Sequence, residues 1–247
     1  MSLKTTSQRK LTVSRFNSTN AVAYVTSGLL LNLDAGNTNS YPSSGTTWYD
    51  LSGNNNNGTL TNGPTFSASN GGVIVFDGTN DWINLPTAGF GGTTFSIDFW
   101  IKFNATGNGS FWWTIANSGG DNPELRLVFD SSNKLKYVWF DTSAYIINSF
   151  SQATLTVGTW YHITNTTQNN DYKFYINGVI DSSFTGTTYN GGTLACHSIG
   201  TYNLYGTSPG YGGYTSMSLG SYKFYNRVLS SSEVLQNYTA IKGRFGL

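Results

Sequence analysis

Two histidines, His162 and His197, one cysteine, Cys196, and two glutamates, Glu124 and Glu233, are the residues of this 247-residue chain best suited to acid–base or nucleophilic chemistry. Hydrolysis with retention at a sugar carbon needs two carboxylates about 5–5.5 Å apart, flanking the broken bond. Glu124 starts a Pro-containing loop, Glu233 fits a helix cap, and no closely spaced Glu/Asp pair lies within a strand. Cys196 and His197 are neighbours, and neighbours in a strand point to opposite faces, which makes a poor nucleophile–base pair. Cys196 therefore reads as a small core residue. His162, inside Trp160-Tyr-His-Ile163, reads as a hydrogen-bonded structural histidine, and no Gly-x-Ser-x-Gly elbow is present. These patterns point away from an enzyme.

Binding chemistry is better represented. The segment Gly200–Tyr214 carries Tyr202, Tyr205, Tyr211 and Tyr214 on a glycine-rich loop. Trp112 and Trp113 are adjacent, so one of them should face outward if 111–116 is a strand. Aromatic faces beside neutral polar donors hold sugars. The same Tyr, Gly and Ser makeup also builds adaptable protein-binding loops, and exposed aromatics pack well on a neighbouring subunit. Both readings stay open at these six residues, and a homo-oligomer is compatible with them. Asp34, Asp50, Asp77, Asn80 and Asp81 offer hard oxygen ligands that suit calcium. None belongs to an EF-hand loop, and Asp77-Gly78 is already explained as a turn, so a structural calcium is not favoured and no cofactor is expected.

Composition narrows the partners. Only 10% of residues are charged and 15% are aromatic, with 13 Lys+Arg against 12 Asp+Glu. There is no basic excess to neutralise phosphates, so nucleic acid is not an expected partner. One cysteine excludes an internal disulfide framework. No apolar run is long enough to cross a bilayer, and the basic residues near Met1 are not followed by the apolar core of an export signal.

The elements that must position these residues are mostly short strands. Residues 1–20 form an extended basic arm bearing Lys4, Arg9, Lys10 and Arg15, with no acidic residue before Asp34. Such an arm cannot fold alone; it is either an untethered tail or an anchor that orders on a partner. Residues 21–247 form the folded domain. Apolar runs at Ala21–Thr26 and Leu29–Leu33 read as strands, and Val73–Phe76 and Trp82–Leu85 read as a hairpin around Asp77–Asp81. Phe95, Ile97, Phe99, Ile101 and Phe103 alternate with Ser96, Asp98 and Lys102, the pattern of a half-buried strand. Runs at 111–116, 125–129, 135–140 and 160–164 follow. Asn177-Gly178 predicts a type I′ turn between Tyr172–Ile176 and Val179–Phe184. One helix is predicted: Ser230 and Glu233 form a capping box, Val234, Leu235, Tyr238 and Ile241 form its apolar stripe, and Gly243 ends it. Many strands with one late helix give an all-β, two-sheet antiparallel jelly-roll sandwich, with the connections 36–57 and 185–213 crowning one edge.

Gly28-Leu-Leu-Leu-Asn-Leu-Asp-Ala35, Trp48-Tyr-Asp-Leu-Ser-Gly-Asn54, Phe76-Asp-Gly-Thr-Asn-Asp-Trp82, Phe95–Ile101, Trp160-Tyr-His-Ile163, Tyr175-Ile-Asn-Gly-Val179 and Phe224–Ser230 occur in an order that resembles laminin-G-like, concanavalin A-like jelly-roll domains across residues 28–241. The resemblance implies the sandwich and a family of carbohydrate-binding, adhesion and bacteriophage-surface domains. The ending Asn237–Leu247 resembles structural proteins of tailed phages. That implies a non-enzymatic virion surface protein, in capsid or tail, held to other virion proteins by the arm and adhering to cell-surface glycans. The alternative is a bacterial carbohydrate-binding or adhesin module, with a glycoside hydrolase as a remote third. The acidic residue usual before the family's final aromatic strand is missing around Gly220-Ser221.

Overall fold

Alternation of apolar and polar residues, broken every few residues by Asn and Gly, leaves the backbone few options besides short antiparallel strands. The computed structural model describes residues 22–90, 92–107, 110–117, 124–141, 144–186, 194–201 and 213–247; the expected arm, residues 1–20, lies outside them. In chain order the strands are β1 Leu29–Asp34, β2 Thr47–Trp48, β3 Gly58–Thr61, β4 Thr65–Ser67, β5 Val73–Asp77, β6 Trp82–Asn84, β7 Thr94–Phe103 and β8 Ser110–Asn117. There follow β9 Glu124–Phe129, β10 Lys134–Asp141, β11 Ala144–Thr154, β12 Trp160–Gln168, β13 Asp171–Ile176, β14 Val179–Thr185, β15 Leu194–Ile199 and β16 Ser216–Tyr225. Helix α1, Ser231–Ile241, and a 3-10 turn, Lys242–Phe245, close the chain.

Two antiparallel sheets result, as expected. The first runs β14-β13-β12-β7-β16-β5-β4, and β1 also pairs with β16. The second runs β11-β10-β9-β8-β15-β6-β3-β2. Strand β16 pairs with β5 through Ser216–Leu219 and with β1 through Ser221–Tyr225, so one long strand serves two short ones end to end. Gly220 sits at the junction, where a register shift changes the phase of the strand. Met217 and Leu219 before it, and Tyr222 and Phe224 after it, all enter the core. The core between the sheets is largely aromatic: Phe95 and Phe224 stack at 5.4 Å, and Phe103 lies 3.9 Å from Phe129 across the sandwich.

Several local expectations change. Val73–Phe76 and Trp82–Leu85 do not form a hairpin: β5 and β6 belong to different sheets, and Asp77–Asp81 is the crossover between them. Neighbouring strands with a turn-like linker pair only if their apolar faces can share a sheet, and here they face each other across the core. The segment 22–26 is not a strand. Its polar groups go to α1 instead, with Val25 N–H donating to Asn237 Oδ1 at 2.8 Å and Gln236 Nε2 donating to the Ala23 carbonyl at 2.7 Å. Strand β7 is buried on both faces, because Ser96, Asp98 and Trp100 lie beneath the closing segments. The 185–213 connection contains β15, and β11 was not foreseen in a polar stretch. The Asn177-Gly178 turn has the expected positive φ angles, 51° and 81°.

Helix α1 begins with the expected capping box: the Glu233 amide donates to Ser230 Oγ and the Ser230 amide to Glu233. Its buried side chains are Val234 and Asn237, whereas Leu235 is 48% exposed. The α-helix ends at Ile241, ahead of Gly243, and is followed by the 3-10 turn Lys242–Phe245, with Gly246 taking the left-handed exit. Tyr238 and Phe245 stack on Trp100 at 5.8 and 4.3 Å. A Cβ at Gly220 would stand 2.5 Å from the Phe245 ring. The departure from the family pattern at Gly220-Ser221 thus makes room for an aromatic lid.

Candidate functional site

The outward side of the first sheet lies under α1 and residues 22–28, and on the second sheet the outward-facing Thr114, Val128, Val138 and Ser198 are buried. A cleft of about 270 Å³ lies at one rim, lined by Asp77, Gly78, Ala105, Thr106, Phe129, Tyr214, Thr215 and Ser216. Four segments converge there: the end of β5, the loop after β7, the end of β9 at Phe129, and the approach to β16. Asn104 N–H donates to the Ser216 carbonyl at 2.9 Å, Ser216 pairs with Asp77 across the ladder, and Thr215 N–H holds the approach to β16 against the Gly200 carbonyl at 3.0 Å. Gly78 has φ +80°, and a Cβ there would lie 2.9 Å from Ser216 Cβ, so this wall of the cleft needs glycine.

Tyr214 is the one expected aromatic that the described structure places on this cleft, half-buried, with burial pushing its phenol upward. Tyr202, Tyr205 and Tyr211 lie outside the described residues, as does the side chain of Trp112. Trp113 corrects the expectation of a surface platform: it is fully buried, and its Nε1 donates to Tyr222 Oη at 3.0 Å. The alternation of β8 turns it toward the core. Thr106, Thr215 and Ser216 were not singled out by sequence, since Ser and Thr are too common in this chain to mark a site.

The acids are engaged by their own surroundings. Asp50 accepts from the amides of Asn32, Ser52 and Asn56 and from the Ser52 hydroxyl. Asp34 pairs with Arg244, Asp81 accepts from the Asp77 amide, and Asp77 Oδ1 accepts from Thr79 and Asn80. Asp130 takes the amides of Ser132 and Lys134, and Asp181 takes those of Gln152 and Ala153. Of the calcium candidates, Asp77, Asn80 and Asp81 share one turn, whereas Asp34 ends β1 and Asp50 follows β2. No group of three or more His, Cys, Asp or Glu suited to a metal occurs among the described residues. Glu233 is paired with Arg227, whose hydrogen bonds hold the carboxyl down at about 2.

Two buried polar centres absorb the histidines. Asp98, on β7, is fully buried and accepts at Oδ2 from His162 Nε2 at 2.8 Å, Thr164 Oγ1 at 3.0 Å and Asn237 Nδ2 at 3.2 Å. Lys223 Nζ stands 3.6 Å from Oδ1. Burial opposes its charge, but His162, Lys223 and these donors outweigh it and hold the carboxyl well below the ordinary range. His162 thus has the expected hydrogen-bonded role within the sheet, joining β12 to β7, and Asn237 ties the same carboxylate to α1. His197 lies between the sheets: Nδ1–H donates to the Pro86 carbonyl at 3.1 Å, and Nε2 accepts from Tyr222 Oη at 2.9 Å. Burial pushes its imidazole down to about 3, so it is neutral. Neither histidine reaches solvent.

Residues 77–235 match the family model described as the concanavalin A-like lectin/glucanases superfamily. The chain belongs to this superfamily. No curated protein matches it. Among solved structures, the superfamily fold recurs in domain 4 of AbnA, a GH43 extracellular arabinanase from Geobacillus stearothermophilus, in complex with arabinotriose. That likeness has a TM-score of 0.64 and 17% identity over 85% of this chain and 98% of that one. Trypanosoma rangeli sialidase in complex with sialic acid gives 0.65 and 18% over 88% of this chain and 33% of the sialidase. The binding domain of Paraclostridial Mosquitocidal Protein 1 gives 0.61 and 20% over 85% and 52%. This chain therefore spans about a third of the sialidase and about half of the mosquitocidal binding domain. At these identities the likeness is one of fold, and fold alone does not assign an activity.

Proposed function

We propose that this chain is a non-catalytic adhesion module that holds carbohydrate in the rim cleft. The observation that carries the reading is the cleft itself, which Tyr214 lines together with the hydroxyl-bearing Thr106 and Ser216 on a fixed backbone frame. An aromatic ring with neutral donors suits a sugar's apolar faces and hydroxyls, and a small preformed pocket orders few groups on binding. Membership of a lectin-containing superfamily and the arabinotriose bound to the AbnA domain agree with it. The non-catalytic part is supported by the cleft's lining, where Asp77 is the one carboxylate among the described residues and glycoside hydrolysis uses a pair, and by the engagement of both histidines with buried partners.

The test is a glycan array followed by calorimetry on retained oligosaccharides. Tyr214→Ala should weaken retention about tenfold, equivalent to ~1.4 kcal/mol. No retention of any glycan by the wild-type chain overturns the adhesion reading. Release of new reducing ends during incubation overturns the non-catalytic one.

The narrower setting, display on a virion surface with residues 1–20 as the tether, rests on the resemblance of Asn237–Leu247 to phage structural proteins. That ending has an internal duty here: Asn237 holds Asp98, Arg244 holds Asp34, and Phe245 covers Trp100. Particle purification followed by mass spectrometry tests the setting: a stoichiometric chain supports it, and absence from particles favours a bacterial module.

A further inference from the structure

We propose that Asp77 sets the charge class of the sugar, so that the rim cleft accepts neutral, hydroxyl-rich glycans and rejects carboxylated ones. The inference rests on the reading of the cleft as a sugar site and adds the class of sugar to it. Asp77 is exposed and lines the cleft, and no Lys, Arg or His lines it among the described residues.

The carboxylate is held in place by its own turn. Asp77 N–H donates to Asp81 Oδ2 at 3.0 Å, and Asp77 Oδ1 accepts from Thr79 N–H at 2.6 Å. Asp77 Oδ2 makes no hydrogen bond to any described residue. One oxygen thus fixes the group while the other is available as an acceptor. Beside Asp77 across the ladder is Ser216, paired with it in register, and Gly78 packs against Ser216 without a side chain between them. A fixed carboxylate oxygen beside hydroxyls can take two neighbouring sugar O–H groups, and charge-assisted bonds of this kind are about twice as strong as neutral ones. The same charge repels a uronic or sialic carboxylate, and no lining cation offsets the repulsion. Like-charge juxtaposition is an effective way to exclude a wrong ligand. Asp81, buried at the end of the same turn, holds the Asp77 amide from behind.

The experiment uses an array of neutral oligosaccharides, each paired with the same glycan bearing a sialic or uronic acid, probed with the full chain, with Asp77→Asn and with Thr106→Lys. The wild type should retain neutral members at least tenfold better than their acidic partners, and the preference should shrink in 0.5 M salt. Asp77→Asn keeps an acceptor for Thr79 and should narrow the preference about tenfold, with an unchanged melting temperature as the folding control. Thr106→Lys leaves the Asp77 turn untouched and should raise retention of the acidic members. A wild type that binds no glycan overturns the site reading itself. One that binds acidic and neutral partners alike, or an Asp77→Asn chain with unaltered preference, overturns the inference alone. Binding abolished equally by chelator and by Asp77→Asn makes Asp77 a cation ligand, and also overturns it.

Discussion

His197 shows how one buried side chain converts pH into stability. In the folded chain it is neutral down to about 3, because burial penalises its charge by more than the hydrogen bond to the Pro86 carbonyl favours it. In the unfolded chain it titrates near 6.5, as an ordinary histidine does. Between these values the unfolded state binds the extra proton, so the contribution is intact above about pH 6.5 and is lost as the pH falls toward 3. The wild type should lose up to about 1.4 kcal/mol per pH unit through this group across that window. Chemical denaturation at pH 4, 5, 6 and 7 should show a shallower slope for His197→Gln; identical slopes would mean the imidazole is already charged in the fold. Asp98 acts with the same sign at lower pH: its depressed carboxyl stabilises the fold above the usual carboxylate range and loses that effect as the pH drops below it.

At the scale of elements, the closing segment is tied down by a few specific contacts. Asn237, Tyr238 and Phe245 bring α1 and the 3-10 turn onto the outward face of β7 and β16, over Asp98 and Trp100. The Phe245 ring fits only because position 220 has no side chain. Gly220→Ala should therefore destabilise the protein by about 1–3 kcal/mol through overpacking. Phe245→Leu alone should cost a similar amount in lost aromatic packing, and the double variant should cost less than the sum, by ~1 kcal/mol or more. Additive losses in urea titrations would place the Gly220 requirement in the backbone bulge rather than against the ring.

Across the whole molecule, the two sheets are joined by more than apolar contact. Trp113 on β8 donates to Tyr222 on β16, which donates to His197 on β15, which donates to the Pro86 carbonyl. Tyr222→Phe leaves two buried nitrogens without this partner and should cost about 1–3 kcal/mol. Tryptophan fluorescence and far-ultraviolet dichroism should nonetheless report one shared transition, since β16 pairs with β1, β5 and β7 and no subset of strands holds the core alone. Separate midpoints for the two signals would contradict that single-core picture.

The sandwich, the Asn177-Gly178 turn and the Ser230–Glu233 cap were legible in the chain because each depends on nearest-neighbour chemistry: alternation, left-handed turn residues, and a hydroxyl reaching an amide three residues on. Much of the functional surface was not. Tyr214 could be singled out as an aromatic on a glycine-rich loop, but its cleft is assembled from four segments far apart in sequence. Trp113 has the same local signature as a surface platform, and only the phase of β8 against the opposing sheet buries it. The Asp77–Asp81 turn looks like a hairpin until the two strands it joins are placed in different sheets. Asp98 reads as the polar side of a half-buried strand until α1 covers it. Local geometry is written in short-range steric and hydrogen-bonding preferences, whereas burial, charge partners and pockets are properties of which distant segments meet, and the tertiary structure alone decides those.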